Sequence, residues 1–97
     1  MKTYFVYITT NPQKTVLYIG MTNDLARRMS EHRENRGSKK TFSGSYFCYH
    51  LIYYEEFNDV IDAIDREKQI KKWRREKKEN LIKIINPDWN SINVPNE

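Results

Sequence analysis

Apolar and aromatic residues alternate with polar ones over residues 3–9 and again over residues 15–20, the period-two pattern of strands with one buried face. Asn11-Pro12-Gln13-Lys14 supplies turn chemistry between them, so the spacing predicts a β-hairpin. Thr22-Asn23-Asp24 offers side-chain oxygens to cap a helix over residues 24–34, with Leu25 and Met29 one turn apart on its apolar side. Arg36 to Ser45, rich in Gly, Ser and Lys, reads as a basic, mobile loop able to line a nucleic-acid groove. From Tyr46 to Phe57 both alternating sets are apolar or aromatic, which predicts a strand covered on both faces. Asn58 or Asp59 caps a second helix that runs to Trp73, and a third covers residues 75–86 before Pro87 ends it. The order β-β-α-β-α-α predicts an α+β fold, a small antiparallel three-stranded sheet flanked by three α-helices.

A chain of 97 residues suits one domain spanning residues 1–97 with one modest core. At 38% hydrophobic and 31% charged residues it is neither disordered nor membrane-inserted in character. No apolar run approaches the roughly 18 residues of a spanning helix. The N-terminus lacks the pattern of a secretory leader, so a cytoplasmic protein is expected. Cys48 is the single cysteine, which excludes an internal disulfide and a cysteine-based metal site. Any metal must then be held by oxygen or imidazole. The net charge of +4 conceals an asymmetry, because residues 66–83 carry nine Lys or Arg against three Glu. Such a stretch fits a polyanionic partner, and it also fits a solvated helical exterior.

Periodicity singles out one acidic residue. At about 100° per residue, Val60, Ala63, Ile64 and Ile70 share a stripe of the second helix, and Glu67 projects near its middle. A carboxylate facing the core needs a partner, because an unpaired buried charge is costly. Either Lys71, one turn later on the same side, or a bound cation would serve. In the first helix Arg28 and His32 lie one turn apart beside the Leu25/Met29 stripe, whereas Arg27 points to solvent. The Arg28 guanidinium can grip a phosphate through two hydrogen bonds, or it can simply snorkel at the helix edge, and a lone His there is commonly structural. In the hairpin, pairing Tyr7 with Tyr18 leaves a six-residue loop and puts both phenols on one face. Packing alone also explains tyrosines in strands.

Phe5-Val6-Tyr7 and Tyr18-Ile19-Gly20, followed by Thr22-Asn23-Asp24-Leu25-Ala26-Arg27-Arg28, His32 and the later run Arg66-Glu67-Lys68-Gln69-Ile70-Lys71-Lys72-Trp73, closely resemble the GIY-YIG endonuclease domain. The resemblance spans residue 3 to roughly residue 90 and is greatest to small stand-alone bacterial members. These are similar to the nuclease part of the nucleotide-excision-repair incision protein and of some homing endonucleases. Phe5 and Val6 replace the Gly and Ile of the first triplet, a change of packing that keeps Tyr7. The family's late Asn corresponds to Asn90, with Asn86 the other candidate.

That resemblance implies a metal-dependent endonuclease acting on DNA rather than RNA, in repair, recombination or restriction. It makes Glu67 the sole protein ligand of a Mg²⁺ or Mn²⁺ ion and Tyr7 the general base, helped by Tyr18 or His32. Arg28 would neutralise charge on the phosphoryl oxygens. A phenol with an ordinary pKa of about 10 needs nearby cations to favour its anion. Gly20 would let the backbone pass closely under the site, and Arg27, Lys39, Lys40, Lys71, Lys72, Arg74 and Asn90 would hold nucleic acid. The arrangement requires Glu67, Arg28 and Tyr7 to share one cleft. Two other outcomes remain open at this point, a nucleic-acid-binding module with weak or no cleavage and a fold in which Glu67 and Lys71 merely pair. A monomer or weak homodimer is expected, since one site cuts one strand.

Overall fold

A computed structural model describes residues 2–94. Met1 and residues 95–97, part of the expected single domain, lie outside the described residues. The chain forms β1 (Tyr4–Thr10), β2 (Leu17–Thr22), α1 (Leu25–Glu34), α2 (Phe42–Ser45), β3 (His50–Phe57), α3 (Val60–Lys72) and α4 (Arg75–Ile85). The sheet is antiparallel throughout, in the order β2-β1-β3.

The central strand β1 is buried from Phe5 to Thr10 because helices cover both of its faces. Its alternate residues therefore belong to two cores. Val6 and Ile8 pack with Ile19, Ile52, Ala63 and Ile70 of α3 and Ile82 of α4. Phe5 and Tyr7 pack on the opposite face with Leu51 and with Leu25 and Met29 of α1. Helix starts follow the sequence signals: Asp24 accepts from the Arg27 amide at 3.1 Å and Asp59 from the Ile61 amide at 2.8 Å. Among the described residues no helix is long and apolar enough to cross a membrane.

The hairpin register differs from expectation. Tyr7 lies opposite Gly20, and Tyr18 lies opposite Thr9. The loop is residues 11–16; β1 lies one residue and β2 two residues later than the alternation suggests. Asn11 is the cause, since its Oδ1 accepts from the Thr15 and Val16 amides at 2.8 and 3.0 Å while Thr10 Oγ1 donates to the Val16 carbonyl at 2.7 Å. A two-residue slip preserves faces, so both phenols still share one side.

Two further expectations are corrected in residues 36–49. The segment read as a loop winds into the one-turn helix α2, capped by Thr41 Oγ1 accepting from the Gly44 amide at 3.0 Å. The strand expected from Tyr46 begins only at His50, because Phe47 takes a positive φ of 58° and the Cys48 amide donates to the Ser43 carbonyl at 2.8 Å. Tyr46 and Phe47 are consequently exposed rather than covered. On α3 the buried stripe is Ala63 and Ile70, while Val60, in the first turn, is exposed.

A β-bulge adjusts the other edge. Ile8 pairs with Tyr53 but Thr9 with Leu51, leaving Ile52 as the extra residue. Ile52 and Tyr53 thus both serve the α3/α4 core. The Ile52 carbonyl accepts from Asn86 Nδ2 at 2.9 Å, and the Leu51 carbonyl from the Ile92 amide at 2.8 Å, so residues 86–92 run beside β3.

Candidate active site

The Tyr7 hydroxyl is the hub of a polar cluster on the α1 face. The buried stripe of α1 is Leu25, Met29 and His32, so the histidine points into the sheet while Arg28, beside it, is half-exposed. Arg28 Nε donates to the Tyr7 oxygen at 3.2 Å, and His32 Nε2 lies 2.8 Å from that oxygen. With Arg28 donating, the phenol proton goes to His32 Nε2, which places the imidazole proton on Nδ1, 3.1 Å from Ser43 Oγ. Ser43 is itself buried on α2. Tyr18 adds its ring, 5.3 Å from the imidazole and 6.3 Å from that of Tyr7.

Gly20, the cross-strand partner of Tyr7, leaves room for this phenol. A Cβ there would collide with the Tyr7 hydroxyl and stand 2.5 Å from its Cζ, a separation that real side chains do not tolerate. Gly20 thus makes room for the Tyr7 phenol by the absence of a side chain.

Burial dominates the electrostatics. It pushes the Tyr7 pKa well above the ordinary phenol value, although the Arg28 hydrogen bond pulls the other way. Arg28 thus favours the phenolate as expected, but burial outweighs it in the free protein. Burial also lowers His32 to about 4, reinforced by the Arg28 charge and opposed by Glu31, so the imidazole is neutral at physiological pH. The hydrogen bond to Tyr7 raises the Arg28 pKa further, so the guanidinium stays protonated.

Glu67 is part-buried on α3, which packs across β2 and β1 on the face opposite α1, so Glu67 and Arg28 rise from helices on the two sides of the sheet. Its carboxylate meets Lys71 Nζ at 3.5 Å, the pair foreseen as one of its possible partners. Its charge is nevertheless felt at the Tyr7 phenol, as the smallest contribution raising that pKa. The rotation of α3 that presents Glu67 is set by its neighbour: Arg66 grips Glu55 of β3 through Nε and Nη2 at 2.8 and 2.9 Å, and Tyr53 donates to the same carboxylate. This anchor was missed in the sequence, although Glu55 falls on the core-facing side of its strand two residues after Tyr53.

The predicted nucleic-acid contacts are dispersed. Arg27 is exposed beside Glu31 at 3.5 Å, and Lys39, Lys40, Lys71, Lys72 and Arg74 are exposed on the α1–α2 connection and around the α3–α4 corner. Asn90 is exposed and takes part through its backbone, which bonds with the Asn86 side chain, whereas Asn86 is buried. The Asn86 bonds go to Ile52 and Asn90 and to none of the clustered site residues.

A cleft of about 300 Å³ lined by Met21, Thr22, Asn23, Asp24, Arg27, Arg28 and Glu31 opens beside the Arg28 guanidinium. An α+β domain with a tyrosine, an arginine and a histidine converging on one oxygen has the groups needed to handle a phosphodiester. A family model of the GIY-YIG catalytic domain matches residues 3–80, and the chain belongs to this nuclease family. It is similar to a UPF0213 protein of Haloquadratum walsbyi, 36% identical over 78 residues that cover 80% of this chain and 84% of that one. A UPF0213 protein of Staphylococcus aureus is 35% identical over 83 residues, covering 86% and 98%. The solution NMR structure of the UPF0213 protein from Bacillus halodurans superposes over 92% of both chains with a TM-score of 0.58 and 26% identity.

Proposed function

We propose that this protein is an endonuclease that hydrolyses phosphodiester bonds in DNA, using Tyr7, Arg28 and His32 as its proton-handling and charge-stabilising groups and Glu67 as the ligand of one Mg²⁺ or Mn²⁺ ion. The observation that carries the reading is the Tyr7 hydroxyl, bonded at once to Arg28 and His32 beneath a glycine that admits it. The donor set suits such an ion. Among the described residues no cluster of three or more His, Cys, Asp or Glu exists, and Glu67 offers a single carboxylate with one loose, exposed partner. Mg²⁺ keeps several waters and takes few carboxylates. When bound, it would polarise the scissile phosphate and ease departure of the 3′ oxygen.

The residues of the chain do the rest. Arg28 binds the phosphoryl oxygens and offsets the charge that builds there. Because burial makes a standing Tyr7 phenolate scarce, Tyr7 takes the proton of the attacking water while handing its own to neutral His32 Nε2. Ser43 holds the imidazole in the tautomer that leaves Nε2 free to accept. Tyr7 has no exposed surface, so substrate binding must uncover it, and movement of the hydrogen-bonded Arg28 onto a phosphate would do so.

A binding module without cleavage is the second reading, favoured by that same burial and by the Glu67–Lys71 pair. Labelled duplex, flap, branched and single-stranded substrates with Mn²⁺ separate the two. Glu67→Ala and Arg28→Ala should each lower cleavage on the order of 10²- to 10³-fold while salt-sensitive binding persists. Wild-type protein that binds but never cuts, or a Glu67→Gln variant that alters stability and leaves cutting intact, would refute the nuclease reading.

A further inference from the structure

A row of rings leads outward from the catalytic hydroxyl. Tyr18 touches Tyr7 and His32 from the outer side, Phe42 stacks on Tyr18 at 6.2 Å with an interplanar angle of 25°, and Tyr46 follows Phe42 at 4.8 Å. Tyr7 is fully buried and Tyr18 part-buried, whereas Phe42 and Tyr46 are 53% and 51% exposed. Exposed aromatic rings side by side are uncommon on a domain this small, because burying them is favourable, and they mark surfaces that meet something. The charge around them identifies what. Residues 35–54 hold three Lys or Arg and no Asp or Glu. Lys39 and Lys40, just before α2, are exposed and, among the described residues, have no ion-pair partner.

We infer that Phe42 and Tyr46 form a stacking platform for unpaired bases of a DNA strand entering the site, with Lys39 and Lys40 against its phosphates. The inference rests on the nuclease reading for its direction and names the substrate class of that site: single-stranded DNA, or the unpaired arm of a flap or branch. Exposed rings beside a basic lining are the chemistry of sequence-tolerant single-strand binding. Continuous duplex offers the rings nothing, since its base faces are already stacked and would have to be flipped out first. Substrate choice thus falls to α2, the one-turn helix that also carries Ser43 to the catalytic imidazole.

The test measures binding without metal, in EDTA, of a single-stranded oligonucleotide containing 2-aminopurine and of the same sequence as duplex, for wild type and the Phe42→Ala/Tyr46→Ala double variant. Both side chains are exposed, so the variant should fold, and far-ultraviolet circular dichroism checks that. Single strand should bind the wild type about tenfold or more tighter than duplex, with the 2-aminopurine signal quenched. The double variant should lose about tenfold or more on single strand, lose the quenching, and change little on duplex. Equal losses on both substrates, or none, would overturn the proposal. So would sedimentation showing that these rings hold two copies of the chain together. Because this arm reads no cutting, it succeeds or fails independently of the Glu67→Ala comparison.

Discussion

The two faces of the sheet are built from the same three strands and do opposite things. Against α3 and α4 the core is mainly aliphatic, with Val6, Ile8, Ile19, Ile52, Ala63, Ile70 and Ile82 closed around one another and Tyr53 as its buried aromatic. Against α1 lie Tyr7 and His32, buried and hydrogen-bonded, with part-buried Tyr18 beside them. Residues one apart in β1 thus enter an apolar core on one side and a hydrogen-bonded polar cluster, the proposed site, on the other, with the proposed metal ligand Glu67 rising from the helix on the apolar side. A small domain can keep a costly polar cluster because the opposite face supplies the apolar burial that holds the shared strands in place.

That division can be broken in measurable ways. The largest effect belongs to the aliphatic face: Ile82→Ala should lower unfolding free energy by about 2–5 kcal/mol in urea titrations, while nuclease activity at a temperature where the variant stays folded remains near wild type. Activity lost in step with that substitution would show the two faces to be less separate. Next comes His32. Its folded pKa of about 4 lies below the ordinary His value, so the unfolded chain binds the proton more readily, and stability present above that ordinary value drains away as pH falls toward the folded one. The histidine should account for about 3 kcal/mol of acid-induced loss between neutral pH and pH near 4, read as the difference in urea midpoints between wild type and His32→Gln. An identical pH profile in the variant would deny the buried neutral imidazole. Smallest is Gly20→Ala, where the added methyl must displace the Tyr7 ring, for about 1–3 kcal/mol of stability. Its diagnostic sign is a His32 pKa moved back toward the ordinary value by NMR titration, as the phenol leaves the imidazole.

Much of this plan was legible in residue order. The caps at Asp24 and Asp59 appeared where short polar side chains preceded apolar periodicity, and the three-stranded antiparallel sheet followed from alternation. Arg28 was placed on the inward edge of its helix by spacing alone, and the Glu67–Lys71 pair was foreseen as one of two partners. The hairpin register was not legible, because Asn11 sets it through loop hydrogen bonds that alternation does not encode. The placement of Ser43 beside His32 was equally hidden. Its bond to His32 joins residues eleven apart through a turn whose conformation depends on the positive φ of Gly37 and Phe47, and a Gly/Ser-rich stretch looks the same whether it wanders or winds. The fully buried state of Tyr7 also escaped the sequence, since it depends on a glycine in the neighbouring strand.

The residues that follow α4 have a role beyond tidying the chain's end. By occupying the carbonyls of Leu51 and Ile52, they deny the outer border of β3 to any foreign strand seeking to extend the sheet. A version of the protein trimmed at Ile85 would present those acceptors bare, and solubility rather than catalysis would be the first property to suffer.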